Sequence, residues 1–433
     1  MNDIFRQADD LTRRRFVTQA AKAFLGVSIL PWAIPQRAEA AGLGLNRPLN
    51  HAPKARNVIY LYMSGGMTHI DTFDPKPGAE TGGPTQAIKT NADGVQLAEN
   101  LPLLANHADK IAVVRGLTST KGAHQQGNYF MHTSYAQRAT IRHPSMGAWT
   151  TRLDDRFNPT LPGAVVVSGG SQHPLAGFLP AAHQPLAIGS PTAGLRNSRM
   201  HPGLTETDFK KRLDLSAKFD RTFRNKYKLK KVDAYSDMYA DAVRLMKSGD
   251  LKAFDVNEEP KSVREAYGDD SFGQGVLLAR RLVERHVRFV EVQLGGWDTH
   301  QTNFVRAPER AAILDQALSS LLDDLNKRGM LEETLVVVAT EFGRTPNINV
   351  NDGRDHYPKA FSGMLAGGGI RGGQVWGKTD PEGREVIEQR VEIPDFNATI
   401  AYALGLPLDE IVYSPSRRPF TLADKGHPVT ELL

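Results

Sequence analysis

The sequence predicts an α/β fold with a mostly parallel sheet and helices on both of its faces. Short apolar runs of strand length alternate along the chain with longer segments whose apolar residues recur at helical spacing. Several runs, such as residues 334–339 (TLVVVA), are almost wholly apolar, which is typical of strands buried in the middle of a parallel sheet. Glycine clusters follow many of these runs and allow the chain to turn sharply where a strand ends.

The first half of the chain supplies three predicted strands. Residues 57–63 (NVIYLYM) form an apolar run that ends in Ser-Gly-Gly, so they are predicted to be a buried strand feeding a tight loop. A short helix is predicted at 101–108, and the run IAVV predicts a second strand at 111–114. A helix at 125–135 then precedes a third strand at 164–167 (AVVV).

The second half begins with a change of composition. Between residues 205 and 283, charged residues and leucines recur at helical spacing without a convincing strand, which predicts a helical insertion. A strand is predicted at 287–294, and a long amphipathic helix at 308–329 with its apolar residues on one face. Two further strands, at 334–339 and 361–366, complete the predicted sheet.

Composition excludes several classes of site. The 433 residues include no cysteine, so disulfides, thiolate zinc sites, iron–sulfur clusters and a cysteine nucleophile are excluded. The chain carries 53 Lys and Arg against 48 Asp and Glu, and this net charge of +5 falls to +3 without the first 40 residues. No long basic run is present, so we do not expect a nucleic-acid partner.

The N-terminal 40 residues are predicted to be an export signal. Residues 12–17 (TRRRFV) carry an arginine pair before an apolar residue, an apolar segment follows at 20–35, and Ala38-Glu39-Ala40 forms an A-x-A cleavage site. The pattern resembles a twin-arginine signal, which implies the twin-arginine export machinery as a partner and a periplasmic or secreted protein of residues 41–433. The apolar segment is too short to span a bilayer, and no later segment reads as a transmembrane helix.

Acidic, imidazole and guanidinium groups cluster around the ends of the predicted strands. In open α/β sheets the carboxyl ends of the strands face one crevice in which ligands bind, so these distant groups are expected to meet there. The candidate site residues are His69, Asp71, His124, Asp298, His300, Glu341, Arg344, Arg354, Asp355 and His356.

This residue chemistry points to a divalent metal ion. Carboxylates and imidazoles are ligands for Zn, Ca, Mn or Mg, and the sequence does not decide among these ions. Asp298 and His300 are two residues apart, so in an extended loop their side chains point the same way and both can bind one ion. Such an ion could polarise a phosphoryl or sulfuryl oxygen or generate hydroxide from bound water. Arg344 and Arg354 could clamp an anionic substrate by bidentate contacts.

The same residues also allow purely structural interpretations. Asp298 could cap the helix that follows it, and Asp355 with His356 could be a structural ion pair. Glu341 and Arg344 could pair locally. The metal hypothesis rests on several independent strand ends carrying the same chemistry.

Five motifs resemble an exported family known as domain of unknown function 1501, from about residue 50 to the C-terminus. That family in turn resembles distant members of the alkaline phosphatase and sulfatase superfamily. The resemblance implies a single domain over residues 41–433, built as one large α/β sandwich around a mostly parallel sheet. The motifs are YMSGGMTHIDTFDPKP at 62–77, GGWDTH at 295–300, EFGRTP at 341–346, GRDHYP at 353–358 and AGGGIRGG at 366–373.

The resemblance also assigns roles by position. The segment that begins at His124 resembles the nucleophile helix of sulfatases, so His124 stands where a Cys or Ser nucleophile is expected. Asp298 and His300 resemble the first Asp/His metal pair, and His356 resembles a late metal-binding histidine. Glu341 stands where an Asp of an Asp-His pair usually lies.

Two departures from the superfamily pattern bear on the number of metals. Phe342 replaces the His of the second pair, and Ser64 replaces an early Asp, with Asp71 several residues further on. These changes suggest one metal rather than two, or a site that is no longer catalytic. His124 could then be a nucleophile or a metal ligand.

The leading hypothesis is therefore an exported, metal-dependent hydrolase of phosphate or sulfate esters that uses metal-activated water. Its predicted ligands are Asp298, His300, Glu341 and His356, with Asp71, His124 and Asp355 as extras, and Arg344 would contact the substrate anion. The alternative is a non-catalytic protein that uses the same fold to bind a polysaccharide or a protein partner. An export-linked maturation factor is a third, weaker possibility.

Overall fold

The computed structural model describes residues 52–154, 158–170, 172–195, 198, 203–226 and 243–433. Its main feature is a nine-stranded sheet. The described residues also form four two-stranded sheets. All of these strands, in chain order, are β1 (Asn57–Met63), β2 (Ala87–Lys89), β3 (Gln96–Ala98), β4 (Ile111–Thr118), β5 (Ala164–Val167), β6 (Leu186–Ile188), β7 (Phe289–Leu294), β8 (Thr334–Ala339), β9 (Gly343–Arg344), β10 (His356–Tyr357), β11 (Phe361–Ala366), β12 (Gln374–Trp376), β13 (Lys378–Thr379), β14 (Val386–Glu388), β15 (Val391–Glu392), β16 (Val412–Tyr413) and β17 (Pro419–Phe420).

Helices of two kinds connect these strands. The α-helices are α1 (His124–Thr133), α2 (Met146–Leu153), α3 (Glu206–Lys226), α4 (Lys261–Tyr267), α5 (Ser271–Glu284), α6 (Asn303–Lys327) and α7 (Ile393–Ala403). The 3-10 helices are Glu80–Gly82, Leu104–Lys110, Ala181–His183, Gly249–Phe254, Val256–Glu258, Leu331–Glu333, Leu422–Lys425 and Thr430–Leu432.

The sheet is mostly parallel and has the strand order β12-β4-β11-β8-β1-β7-β5-β6, with β15 pairing beside β4. Strands β8, β1, β7, β5 and β6 are parallel neighbours. Strand β11 runs antiparallel to both β8 and β4. Its amino end therefore lies at the same edge as the carboxyl ends of β1, β7 and β8.

Strand β1 shows why the sheet is covered on both faces. All seven of its residues are buried, and successive side chains point to opposite faces. Ile59, Leu61 and Met63 pack into a core that contains the apolar faces of α5 and α6. Val58, Tyr60 and Tyr62 pack into a second core with side chains of α1, α2 and α7. The protein is thus a three-layer α/β/α sandwich, as the sequence predicts.

The predicted long helix begins earlier than the pattern indicates. The pattern predicts it at 308–329, whereas α6 begins at Asn303 and carries Pro308 inside its first turns. The Asn303 backbone N–H donates to Asp352 O, and its side chain donates to Asp71. These tertiary contacts hold the first turn in place, and periodicity alone does not reveal them.

Most of the described residues between 205 and 283 are helical, in α3, α4, α5, residues 243–247 and two 3-10 helices, and none of them lies in a strand. Helix α5 is almost entirely buried and packs against β1 and β7, so it belongs to a layer of the sandwich. The predicted signal at 1–40 lies outside the described residues. No helix in the described part of the chain combines the length and the apolar character that crossing a membrane requires.

Candidate metal centre

Four of the predicted residues meet at the edge where β1, β7 and β8 end. Asp298 and His300 lie in the loop after β7, His356 lies in β10, and His124 is the first residue of α1. Asp298 Oδ1 lies 3.3 Å from His124 Nε2, 3.2 Å from His300 Nε2 and 3.4 Å from His356 Nε2. The Nε2 atoms of His300 and His356 are 3.0 Å apart. Donor atoms of His124, Asp298 and His356 all lie within 4.8 Å of one another.

Each of the three imidazoles is oriented by an acceptor on its other nitrogen. His124 Nδ1 lies 2.9 Å from Glu341 Oε1, and His300 Nδ1 lies 2.6 Å from Asp355 Oδ1. His356 Nδ1 lies 2.8 Å from the backbone oxygen of Gly122. Ionised carboxylates and carbonyls only accept hydrogen bonds, so each Nδ1 carries the proton. When the rings are neutral, their three Nε2 lone pairs therefore point towards Asp298 Oδ1.

A positive charge would stabilise lone pairs that point at one place. The Nε2 atoms of His300 and His356 face each other at 3.0 Å, where two acceptors repel unless a proton or a cation lies between them. His124 Nε2 is buried and makes no hydrogen bond with any described residue, although Asp298 Oδ1 is near. Histidines that bind metals almost always donate their other N–H to a carboxylate or carbonyl, and all three do so here.

The charges around the group favour an ionised carboxylate at its centre. Burial opposes ionisation of Asp298, but hydrogen bonds and charges from Arg344 and the histidines lower its pKa to about 2. The hydrogen bond to Glu341 and the nearby Asp298 raise the pKa of His124. Burial and the neighbouring Arg344 lower the pKa of His356, which keeps that imidazole neutral.

Arg344 is fully buried and holds the carboxylate rather than facing solvent. Its guanidinium donates to Asp298 Oδ1 and to the backbone oxygens of Gly65, Gly66 and Arg354. With these contacts made, little of the group is left for an incoming anion. The placement supports a role in fixing Asp298, and it does not support the predicted clamp on the substrate.

Glu341 lies behind His124 instead of beside the other ligands. It is buried, and it accepts hydrogen bonds from the Gly65 N–H at 2.9 Å and the Tyr62 hydroxyl at 3.1 Å. Burial alone would raise the pKa of Glu341, but the hydrogen bond from His124 helps to lower it. The sequence predicts Glu341 as a metal ligand, whereas in the structure its carboxylate contacts and orients the His124 imidazole. Asp355 has the same relation to His300.

Asp71 is not part of this group. Its two carboxylate oxygens accept hydrogen bonds from Thr68, Thr85, Asn303 and Arg354, and Arg354 Nε lies 2.9 Å from Oδ2. Both Asp71 and Arg354 are buried. The structure therefore uses Asp71 in a buried ion pair, and Arg354 is likewise not available to clamp a substrate.

Close backbone approach explains two glycines of the site. Gly65 has a φ of +117°, and a Cβ there would lie 2.6 Å from the Asp298 backbone nitrogen. A Cβ on Gly127 in α1 would lie 2.9 Å from the ring of Phe342. Phe342 itself packs against His124 and His356, with ring centroids 5.1 and 4.7 Å away. Where the resemblance implies a lost ligand, the aromatic ring forms an apolar support for two imidazoles.

Sequence reasoning missed a second, buried group formed by His132, His173 and Glu291. None of these three residues is among the candidates that the sequence predicts. One signal was available, because Glu291 is a carboxylate between two valines of a predicted strand, and a buried charge needs partners.

A comparison with solved structures finds similarities at low sequence identity. A sulfatase from Pseudoalteromonas sp., PsFucS1, shares 12% sequence identity with a TM-score of 0.38, covering 86% of this chain and 73% of that one. A protein in the alkaline phosphatase superfamily from Vibrio parahaemolyticus shares 9% identity with a TM-score of 0.38, covering 87% and 70%. A phosphonate monoester hydrolase from Silicibacter pomeroyi shares 11% identity with a TM-score of 0.32, covering 86% and 75%.

No curated protein sequence matches this chain. A family model described as "Protein of unknown function (DUF1501)" matches residues 55–433, which confirms the family that the five motifs resemble. The match includes all of the strands and the residues of the candidate metal centre. The chain therefore belongs to the DUF1501 family.

Proposed function

We propose that this protein is a metal-dependent hydrolase of phosphate or sulfate esters. The observation that carries the proposal is the convergence of three imidazole Nε2 atoms on the Oδ1 atom of Asp298. Neighbouring donors that bind one ion at about 2.0–2.2 Å stand roughly 3–3.5 Å apart. The separations from Asp298 Oδ1, at 3.2 to 3.4 Å, suit such an ion.

The donor set favours a zinc-like ion over calcium or magnesium. Imidazole nitrogens suit Zn and related transition metals, whereas Ca and Mg prefer sets of oxygen ligands. His124, His300, His356 and Asp298 would hold the ion, and Glu341 and Asp355 would orient two of the imidazoles. Three neutral imidazoles and one carboxylate leave a divalent ion with excess positive charge, which favours an anionic substrate group.

The surroundings leave room for such a substrate. The side chains of Asp298 and His300 are 47% and 44% exposed, so one side of the group faces solvent. A bound divalent ion supplies Lewis-acid polarisation of an ester oxygen and lowers the pKa of a bound water. His124 Nε2 points at Asp298, which favours its role as a ligand over its role as a nucleophile. This arrangement supports the metal-activated water route.

Metal dependence is the first test of the proposal. We expect the purified protein to contain a transition metal, to lose hydrolysis of aryl phosphates or aryl sulfates on chelation, and to regain it with Zn²⁺ or Mn²⁺ better than with Mg²⁺ or Ca²⁺. Elemental analysis measures the metal content, and a colorimetric assay measures the rate of hydrolysis. Failure to bind any of the four ions would overturn the proposal. Metal binding without hydrolysis of either ester class would favour the non-catalytic binding protein.

A Glu341→Gln variant tests the orienting role of that carboxylate. We expect its metal affinity to fall about 10–100-fold, the usual cost of losing an outer-shell partner. The cause is that an amide cannot accept from the Gly65 N–H, the Tyr62 hydroxyl and His124 Nδ1 together. Calorimetric titration with Zn²⁺ measures the change, and Glu333→Gln on the exposed surface is the matched control. Equal affinity in the two variants would contradict this role.

A further inference from the structure

The second group of titratable side chains lies at the carboxyl end of α1, whereas His124 is at its amino end. Glu291 in β7 lies between His132, near the end of α1, and His173 in a loop. His132 Nε2 is 3.0 Å from Glu291 Oε1, and His173 Nε2 is 3.1 Å from Glu291 Oε2. All three residues are buried. Their donor atoms lie as close together as those of a metal site.

Hydrogen bonding distinguishes this group from the metal centre. The Leu175 backbone N–H donates to His173 Nδ1, so the proton of neutral His173 is on Nε2 and donates to Glu291. His132 Nδ1 faces the backbone oxygen of Asn128 at 2.8 Å, and its Nε2 faces Glu291. Both nitrogens of His132 must then donate, which makes it an imidazolium. Neither Nε2 has a lone pair for a metal.

The electrostatics agree with this assignment of protons. Burial alone would lower the pKa of His132, but Glu291 raises it. Burial lowers the pKa of His173. Burial alone would raise the pKa of Glu291, but the two histidines lower it. The group is thus a buried ion pair of His132 and Glu291 with a neutral third member.

A chain of contacts joins this ion pair to the metal centre. The rings of His132 and Tyr62 meet edge to face, with their centroids 4.4 Å apart. The Tyr62 hydroxyl donates to Glu341 Oε2 at 3.1 Å, and Glu341 Oε1 accepts from His124. Helix α1 carries both His124 and His132, two turns apart. The ion pair therefore fixes one end of the helix whose other end supplies a ligand.

We propose that the buried His132–Glu291 pair and Tyr62 are positioning elements of the metal centre, which hold α1 and the Glu341 carboxylate so that His124 Nε2 points at the ion. This inference rests on the proposed function, because it takes the ion as bound. It assigns a use to buried polar groups that touch neither the ion nor a substrate. Loss of either element is expected to weaken metal binding.

Two neighbouring tyrosines provide a test that leaves the fold largely intact. Tyr62→Phe removes the hydroxyl that donates to Glu341, and Tyr60→Phe removes a buried hydroxyl that has no hydrogen-bond partner among the described residues. We expect Zn²⁺ affinity of the Tyr62→Phe protein to fall about threefold to tenfold, less than for a direct outer-shell partner. We expect Tyr60→Phe to leave it unchanged. Equal affinities in the two variants would overturn the role of Tyr62.

Two isosteric substitutions test the ion pair. Glu291→Gln removes the charge beside His132, and Asp154→Asn breaks the buried contact with Arg288 at the opposite end of β7. We expect both variants to lose stability, but only Glu291→Gln to lose about tenfold in Zn²⁺ affinity and to alter the visible absorption of the Co²⁺-loaded protein. Equal affinity and identical Co²⁺ spectra would overturn the positioning role of the pair. If Glu291→Gln fails to fold, the two tyrosine variants decide.

The two proposals fail in different ways. Wild-type protein that binds no Zn²⁺ or Co²⁺ overturns the proposed function and this inference together. Wild-type protein that binds the ion, with affinity unchanged in both Tyr62→Phe and Glu291→Gln, overturns this inference alone.

Discussion

A His124→Ala variant is expected to lose its bound metal and, with it, any ester hydrolysis. The substitution removes one of three Nε2 donors, so the loss of affinity should exceed the roughly 10–100-fold that loss of an outer-shell partner costs. It also leaves the buried Glu341 carboxylate without the imidazole that faces it. Glu341 keeps its hydrogen bonds from the Gly65 N–H and the Tyr62 hydroxyl, so the buried carboxylate is not left without a partner. Calorimetric Zn²⁺ titration and elemental analysis after gel filtration measure the change.

The same variant separates the two roles that the sequence leaves open for His124. If the imidazole is a ligand, metal and activity disappear together. If it is a nucleophile, the variant keeps its metal and loses only turnover, which would contradict the role of His124 as a metal ligand. His427→Ala is the matched control, because that histidine is exposed and lies outside the metal centre.

Much of the sheet could be predicted because a buried parallel strand is apolar on both faces. Strands β1, β5, β8 and β11 have the bounds that their apolar runs predict. Strand β6 is only three residues long, too short for a periodic signal. The direction of β11 could not be predicted from the sequence either, because the hydrophobicity of a strand does not show whether it runs parallel or antiparallel to its neighbours.

That direction matters for the metal centre. His356 precedes β11, so in an all-parallel sheet it would lie at the opposite edge from Asp298 and His300. The antiparallel pairing of β11 with β8 reverses this and brings the loop before β11 to the ligand edge. The convergence predicted from strand ends therefore holds for His356 for a reason that the sequence did not contain.

The sequence identified which groups lie together better than it identified the contacts of each residue. Asp298, His300 and His356 lie together as predicted, because the loops that carry them meet at the same edge of the sheet. Glu341 and Asp71 are both acidic and both near strand ends, yet one orients a histidine and the other binds an arginine. Ligand and supporting partner use the same residue types, so only the three-dimensional arrangement separates them.

An Arg354→Gln variant is expected to lose about 3–5 kcal/mol of unfolding free energy, because it leaves the Asp71 carboxylate buried without its counter-charge. Chemical denaturation measures the loss. Lys261→Ala is the control, since it breaks an ion pair whose side chains are 80% and 49% exposed, and such surface pairs contribute roughly 0.2–1 kcal/mol. Similar losses in the two variants would contradict the structural role of Arg354.

The Asp71–Arg354 pair also predicts how stability depends on pH. Burial alone would raise the pKa of Asp71, but Arg354 and hydrogen bonds from Thr85 and Asn303 lower it. A carboxyl with a lowered pKa in the folded state stabilises the protein above its unfolded pKa, and that contribution is lost as the pH falls through the folded value. We therefore expect the wild-type advantage over Arg354→Gln to shrink in acid, as followed by unfolding at several pH values. An advantage that grows towards low pH would contradict an ionised Asp71 that is stabilised by Arg354. Because Arg354 directly precedes Asp355 and His356, its variant should also weaken Zn²⁺ binding, through the loop that carries a ligand and its partner.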